Sequence, residues 1–277
     1  MSRGRTTGLV LLTSLLGSLA VAPSPSGAAP APTRGGGHCV HQSRIDVPGA
    51  PVQRVDCLDD LTTASTVATN HTDASDWAGL NAPGTHNPSG VPGIQVDGYF
   101  PDTSTSNTHH GWNHDSQFVV RLPDHWNGRL VVSGAPGTRT QYAGDFLFSD
   151  WLLAHGYAYA MTDKGNDGSS FYKDGKEPGD AIAEWNHRVT QLTRATRQVV
   201  AQRYGRVPAR TYLFGISNGG YLVRWQLENR PGLYDGGVDW GARSTRRRRP
   251  TCSPTCRSRC ATTRSTRRPA TGPPTGG

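Results

Sequence analysis

Thr211-Tyr212-Leu213-Phe214-Gly215-Ile216-Ser217-Asn218-Gly219-Gly220 joins two patterns within ten residues. Thr211 to Phe214 read as a buried strand, with the short apolar signature of a parallel sheet. Asn218 to Glu228 read as a helix. Between them, Gly215-Ile216-Ser217-Asn218-Gly219 matches G-x-S-x-G. A nucleophilic serine must stand clear at the C-terminal edge of a sheet, so the chain has to turn sharply there. Gly215 and Gly219 relieve crowding around such a turn, and Gly220 adds a third small residue just beyond. The helix that follows aims its positive end at the site, where it favours an oxyanion. The five-residue motif is short, and its weight comes from the strand before it and the helix after it. Ser217 is the candidate nucleophile; a glycine-rich turn without chemistry is the alternative.

An oxyanion hole needs two backbone donors. Asn218, the residue after the nucleophile, offers one N–H. The other should come from the loop after an earlier strand. Leu130-Val131-Val132-Ser133 is a short apolar run that leads straight into Gly134-Ala135-Pro136-Gly137. Pro136 has no N–H, so Ala135 or Gly137 must donate. A plain turn is the competing reading of that loop.

Further strands are predicted at 117–122, 157–161 and from Gly236. Helices are predicted at Phe146 to His155 and Ala181 to Tyr204. In the second helix Ile182, Trp185, Val189, Leu192, Ala195, Val199 and Val200 recur every three to four residues. Residues 40–115 are dense in Asn, Asp, Thr, Gly and Pro, and read as loops and short strands. Strands alternating with helices imply an α/β class with a parallel sheet and crossover helices.

The run from Val131 to Trp240 resembles secreted bacterial α/β-hydrolases of the tannase/feruloyl esterase type. Three blocks carry the resemblance, in the family's order. They are Gly156-Tyr157-Ala158-Tyr159-Ala160-Met161-Thr162-Asp163-Lys164-Gly165, Tyr212 to Tyr221, and Arg230-Pro231-Gly232-Leu233-Tyr234-Asp235-Gly236-Gly237-Val238. The resemblance implies an α/β-hydrolase fold with a mostly parallel sheet. It also implies carboxylic-ester hydrolysis through an acyl-enzyme on Ser217, with a small or oligomeric ester as partner and no cofactor. Ile216 stands where characterised tannase-type sites carry a Cys bridged near the catalytic His. Hydrolases of 3-hydroxybutyrate oligomers or other polyesters are therefore comparable relatives. Peptide hydrolysis, or a secreted binding protein that leaves the serine unused, would fit the same fold.

In this fold the triad runs Ser, then Asp or Glu, then His. The last histidine is His187, thirty residues before Ser217, and the only later acids are Glu228, Asp235 and Asp239. The triad is incomplete as written, and little activity is expected. His109, His110 and His114 with Asp115 could form a base or metal cluster, or simply a polar surface loop. Asp163 and Lys164, at a strand's end, lie where substrate contacts would be or serve the loop alone.

The chain carries 29 basic and 21 acidic side chains, for a net charge of +8. Residues 241–277 hold ten Arg, no acid, and no Val, Ile, Leu, Met, Phe, Trp or Tyr. Residues 1–240 therefore sum to −2, and the whole basic excess sits in a tail expected to be disordered. That removes the case for a nucleic-acid partner. A frameshift near Gly241 would account for both the tail and the missing acid and His. The hydrolase domain, 38–240, is then expected to stop after the motif helix and one further strand. Arg3 and Arg5 before an apolar run, Gly8 to Ala22, read as a signal peptide over 1–28, with a flexible leader over 29–37. Secretion follows, with no membrane association after cleavage. Export makes a Cys39–Cys57 bridge plausible chemistry. Cys252, Cys256 and Cys260 have no His or acidic neighbour, so no metal is expected.

Overall fold

A computed structural model describes residues 45–102, 109–165 and 181–241. Its centre is one seven-stranded sheet. The strands are β1 (Val52–Leu58), β2 (Gly93–Phe100), β3 (Ser116–Pro123), β4 (Arg129–Gly134), β5 (Ala158–Thr162), β6 (Arg210–Ile216) and β7 (Gly236–Trp240). Their spatial order is β1-β2-β3-β5-β4-β6-β7. The helices are α1 (Thr63–Thr66), α2 (Asp150–Ala154), α3 (Ala181–Tyr204) and α4 (Asn218–Asn229).

The expected mostly parallel sheet is in fact mixed. The pairs β1–β2, β2–β3 and β3–β5 are antiparallel, whereas β5–β4, β4–β6 and β6–β7 are parallel. The division follows the connections. A helix between two strands carries the chain back to the starting edge, and β4 to β7 are linked that way. Among the described residues no helix stands between β2 and β3, which pair directly as antiparallel neighbours.

Both faces of the sheet are covered, so alternation along a strand separates two cores rather than core from solvent. All eight residues of β3 are buried. Phe118, Val120 and Leu122 face one side, with Val132, Ala160 and Leu213, beneath Val189 and Leu192 of α3 and Leu222 and Val223 of α4. Val119 faces the other side, with Val131, Tyr159 and Met161, against Phe148 and Leu153. Each Val or Leu buried from α3 contributes about 1.5–3 kcal/mol. The periodicity of α3 was legible except at its first position, since Ile182 is 40% exposed. The segment expected as one helix over 146–155 begins instead as a π-helical turn, Asp145–Ser149, that leads into α2.

The chain leaves β4 for β5 on one side and reaches β6 on the other. This reversal of strand order opens a crevice at the C-terminal strand ends, the usual ligand position in such sheets. Gly134 ends β4 there, and Ser217 follows β6.

Candidate active site

Ser217 links β6 to α4 with φ +55° and ψ −117°. Among the described residues, four non-glycine residues have positive φ: Asn70, Asn113, Lys164 and Ser217. Asparagine tolerates the left-handed region, but the ψ of Ser217 lies outside even that region. The strain is held from both sides. The Ser217 N–H donates to the carbonyl of Trp240 at 3.0 Å, and its carbonyl accepts the N–H of Tyr221 at 3.1 Å. The side chain is exposed and makes no cap hydrogen bond to the helix it precedes. Oγ is thus presented at the positive end of a 12-residue helix.

The flanking glycines are required by close backbone approach. A Cβ on Gly215 would collide with the backbone of Gly219, and one on Gly219 would collide with the Gly134 carbonyl. Gly220 is buried on the first turn of α4. The turn around Ser217 is therefore packed backbone to backbone against the end of β4. Asn218 is the first residue of α4, where a helix leaves its N–H groups without an intrahelical acceptor.

The loop after β4 corrects one expectation. The Ala135 N–H donates to the Thr162 carbonyl at 2.9 Å, which extends the β4–β5 pairing by a residue. Ala135 is therefore not an oxyanion donor. Gly137, with φ +55°, keeps that candidacy. The loop is anchored from far along the chain. The Thr140 N–H and hydroxyl donate to the Asp76 carboxylate at 2.8 and 2.6 Å, and Arg139 donates to the carbonyls of Asp76 and Ala78. The Tyr142 hydroxyl donates to Asp97 at 2.7 Å. Below it, fully buried Arg121 pairs with Asp145 and donates to Gln95. Burial raises Asp76, Asp97 and Asp150 above their ordinary 3.8.

Asp163 and Lys164 are not at a substrate surface. Both are buried, and Lys164 reaches under the loop after β4. Asp163 instead accepts from the N–H groups of Gln117 and Gly165. Burial pushes the Lys164 ammonium down and the Asp163 carboxyl up, each to about 7. Sequence reasoning missed the anchoring by Asp76 and Arg139, for which no motif exists. Arg121 did leave a signal, as a lone charge inside an apolar strand.

Asp115 accepts from the N–H groups of Gly111 and Asp102 and bonds His110 at 3.0 Å, and these partners hold its carboxyl below 3.8. Among the described residues, no group of three or more His, Cys, Asp or Glu could hold a metal ion. His187 lines a cavity of about 400 Å³ between α3 and α4. Asp235 and Asp239 pair with Arg210 and Arg224. Cys57 lies on β1. Cys39, the signal peptide and leader, and the three tail cysteines all fall outside the described residues. No helix among the described residues is long and apolar enough to cross a membrane.

Residues 103–239 match the family model described as tannase and feruloyl esterase. Over that stretch, just under half of the chain, the sequence is similar to the tannase and feruloyl esterase family. That family is one of carboxylic ester hydrolases. The fold is also that of feruloyl esterase B from Aspergillus oryzae, an α/β-hydrolase. The likeness covers 73% of the chain at a TM-score of 0.51 and 18% identity. The mono(2-hydroxyethyl) terephthalate hydrolase of Piscinibacter sakaiensis is 27% identical over 141 residues, 46% of this chain. The chain spans 36% of the first of these proteins and 23% of the second.

Proposed function

We propose that this chain carries the nucleophilic half of a secreted serine esterase. The observation that carries the reading is Ser217, held in a strained turn with its hydroxyl exposed at a helix N-terminus. In the proposed reaction Oγ attacks the ester carbonyl carbon. The carbonyl oxygen becomes an oxyanion, facing the N–H groups of Asn218 and of the loop after β4. The C–O bond to the alcohol then breaks, the alcohol takes up the serine proton, and water releases the acyl group from Oγ. By name, the two relatives act on feruloyl esters and on a terephthalate monoester. An ester of an aromatic carboxylic acid is accordingly the first substrate class to try.

Among the described residues none hydrogen-bonds to the Ser217 hydroxyl, and no histidine follows it in the sequence. Without a general base the site retains only its oxyanion and binding contributions, and hydrolysis by this chain should be slow. Export through the N-terminal segment and a Cys39–Cys57 bridge belong to the same proposal. The apolar run after Arg3 and Arg5 supports the first, and extracellular redox conditions support the second.

The test is a fluorophosphonate probe followed by peptide mass spectrometry. A slow adduct on Ser217, absent from Ser217→Ala, is the expected result. A folded chain that takes up no label, or ester hydrolysis that survives Ser217→Ala, would overturn the reading.

A further inference from the structure

Lys164 is fully buried, and among the described residues its ammonium hydrogen-bonds to no carboxylate; Asp163 and Asp76 act on its charge only through space. Nζ donates to the carbonyls of Ala135, at 2.5 Å, and Gly137, at 3.1 Å. It also lies 5.2 Å from the centre of the Trp185 ring. The side-chain stem fills the space beside Gly134, where an added Cβ would stand 3.3 Å from Cδ. The backbone is constrained as well, with φ +75° and the N–H donated to the Thr162 hydroxyl at 3.0 Å. The neighbouring Asp163 is occupied by Gln117 and Gly165.

An ammonium buried against neutral carbonyls is a poor way to stabilise a fold, because desolvation opposes it. The carbonyls it holds suggest another use. Ala135 and Gly137 bracket Pro136, and their oxygens are drawn to one point. A trans peptide unit is planar, with N–H and C=O on opposite sides. Holding the Gly137 carbonyl therefore turns the Thr138 N–H away from Lys164. Holding both carbonyls also fixes the Pro136–Gly137 unit between them, and with it the direction of the Gly137 N–H. The Ala135 N–H is committed to Thr162 and Pro136 has none, so the grip acts on the Thr138 N–H, which it turns away from the lysine.

We propose that Lys164 is a positioning residue that sets the oxyanion loop by gripping the Ala135 and Gly137 carbonyls from below. The proposal rests on the esterase reading of Ser217, but it is tested separately. Lys164→Met and Lys164→Arg are compared with the unaltered full chain. Three quantities are read: the melting temperature, amide hydrogen exchange over residues 134–141, and fluorophosphonate labelling of Ser217 resolved into maximal rate and half-saturation.

Lys164→Met should melt at or above the parent while residues 134–141 exchange at least ten-fold faster. Its maximal labelling rate should fall about ten- to hundred-fold, with half-saturation changed less than two-fold. Lys164→Arg should recover part of both losses. Unchanged exchange in Lys164→Met overturns the proposal. So does a variant that fails to fold or loses protection across the whole chain, since either result makes the lysine a plain stabiliser. A parent chain that never labels counts against Ser217 as nucleophile, and hydrogen exchange then decides Lys164 alone.

Discussion

Ser217 carries strain that a residue without a Cβ would not. Its φ of +55° with ψ of −117° costs a non-glycine residue about 1–3 kcal/mol. Ser217→Gly should relieve it and Ser217→Ala should not. Alanine ordinarily stabilises a chain over glycine by about 0.5–1 kcal/mol. Here the order should invert, with Ser217→Gly the more stable by about 1 kcal/mol, roughly 2–4 °C in melting temperature. Thermal melts of the pair decide it, and an alanine variant that melts higher would show that the turn is unstrained. At this scale the sequence named the serine and its glycines but not the donors facing it. The local string Gly134-Ala135-Pro136-Gly137 offers two N–H groups, and only pairing with Thr162 shows that one is already used.

At the scale of elements, α4 and β4 meet through two glycines. Gly219 lies so close to Gly134 that a Cβ would enter the carbonyl oxygen, with backbone on both sides and no side chain able to yield. Gly219→Ala should therefore destabilise by about 2 kcal/mol or more. Urea denaturation measures this, and a loss below about 0.5 kcal/mol would mean that the helix is free to shift. The parallel strands and both long helices were legible because their apolar residues recur at fixed periods. The strands β1 and β2 were not. Gly93 to Phe100 includes Gln95, Asp97 and Gly98, which read as loop. Gln95 and Asp97 are tolerated inside because Arg121 and Tyr142 satisfy them from other elements. At the far edge, β7 leaves Val238 and Trp240 each 53% exposed.

Across the whole molecule, the buried carboxylates set the response to pH. Burial raises Asp76, Asp97, Asp150 and Asp163 above 3.8, the last to about 7. Between 3.8 and those higher values the folded chain binds more protons than the unfolded one. Stability therefore rises as pH falls through that window. Asp115 and Asp235 are held below 3.8, so the stability they contribute is lost only in stronger acid. Melting should occur at a higher temperature at pH 5 than at pH 7, and Asp97→Asn should narrow the gap. Equal or lower melting at pH 5 would refute this account. The sequence by itself determined the element types from β3 onward and the candidate nucleophile, because periodicity and turn chemistry are properties of near neighbours. Only the tertiary structure decided the mixed sheet, the removal of Ala135 from the donor set, and the burial of Lys164 beneath the loop. Those outcomes depend on which groups meet across 29 residues, for Lys164 and Ala135, or 63, for Arg139 and Asp76. A local pattern does not encode such pairings, since each buried polar group takes whatever partner the packed fold brings within reach.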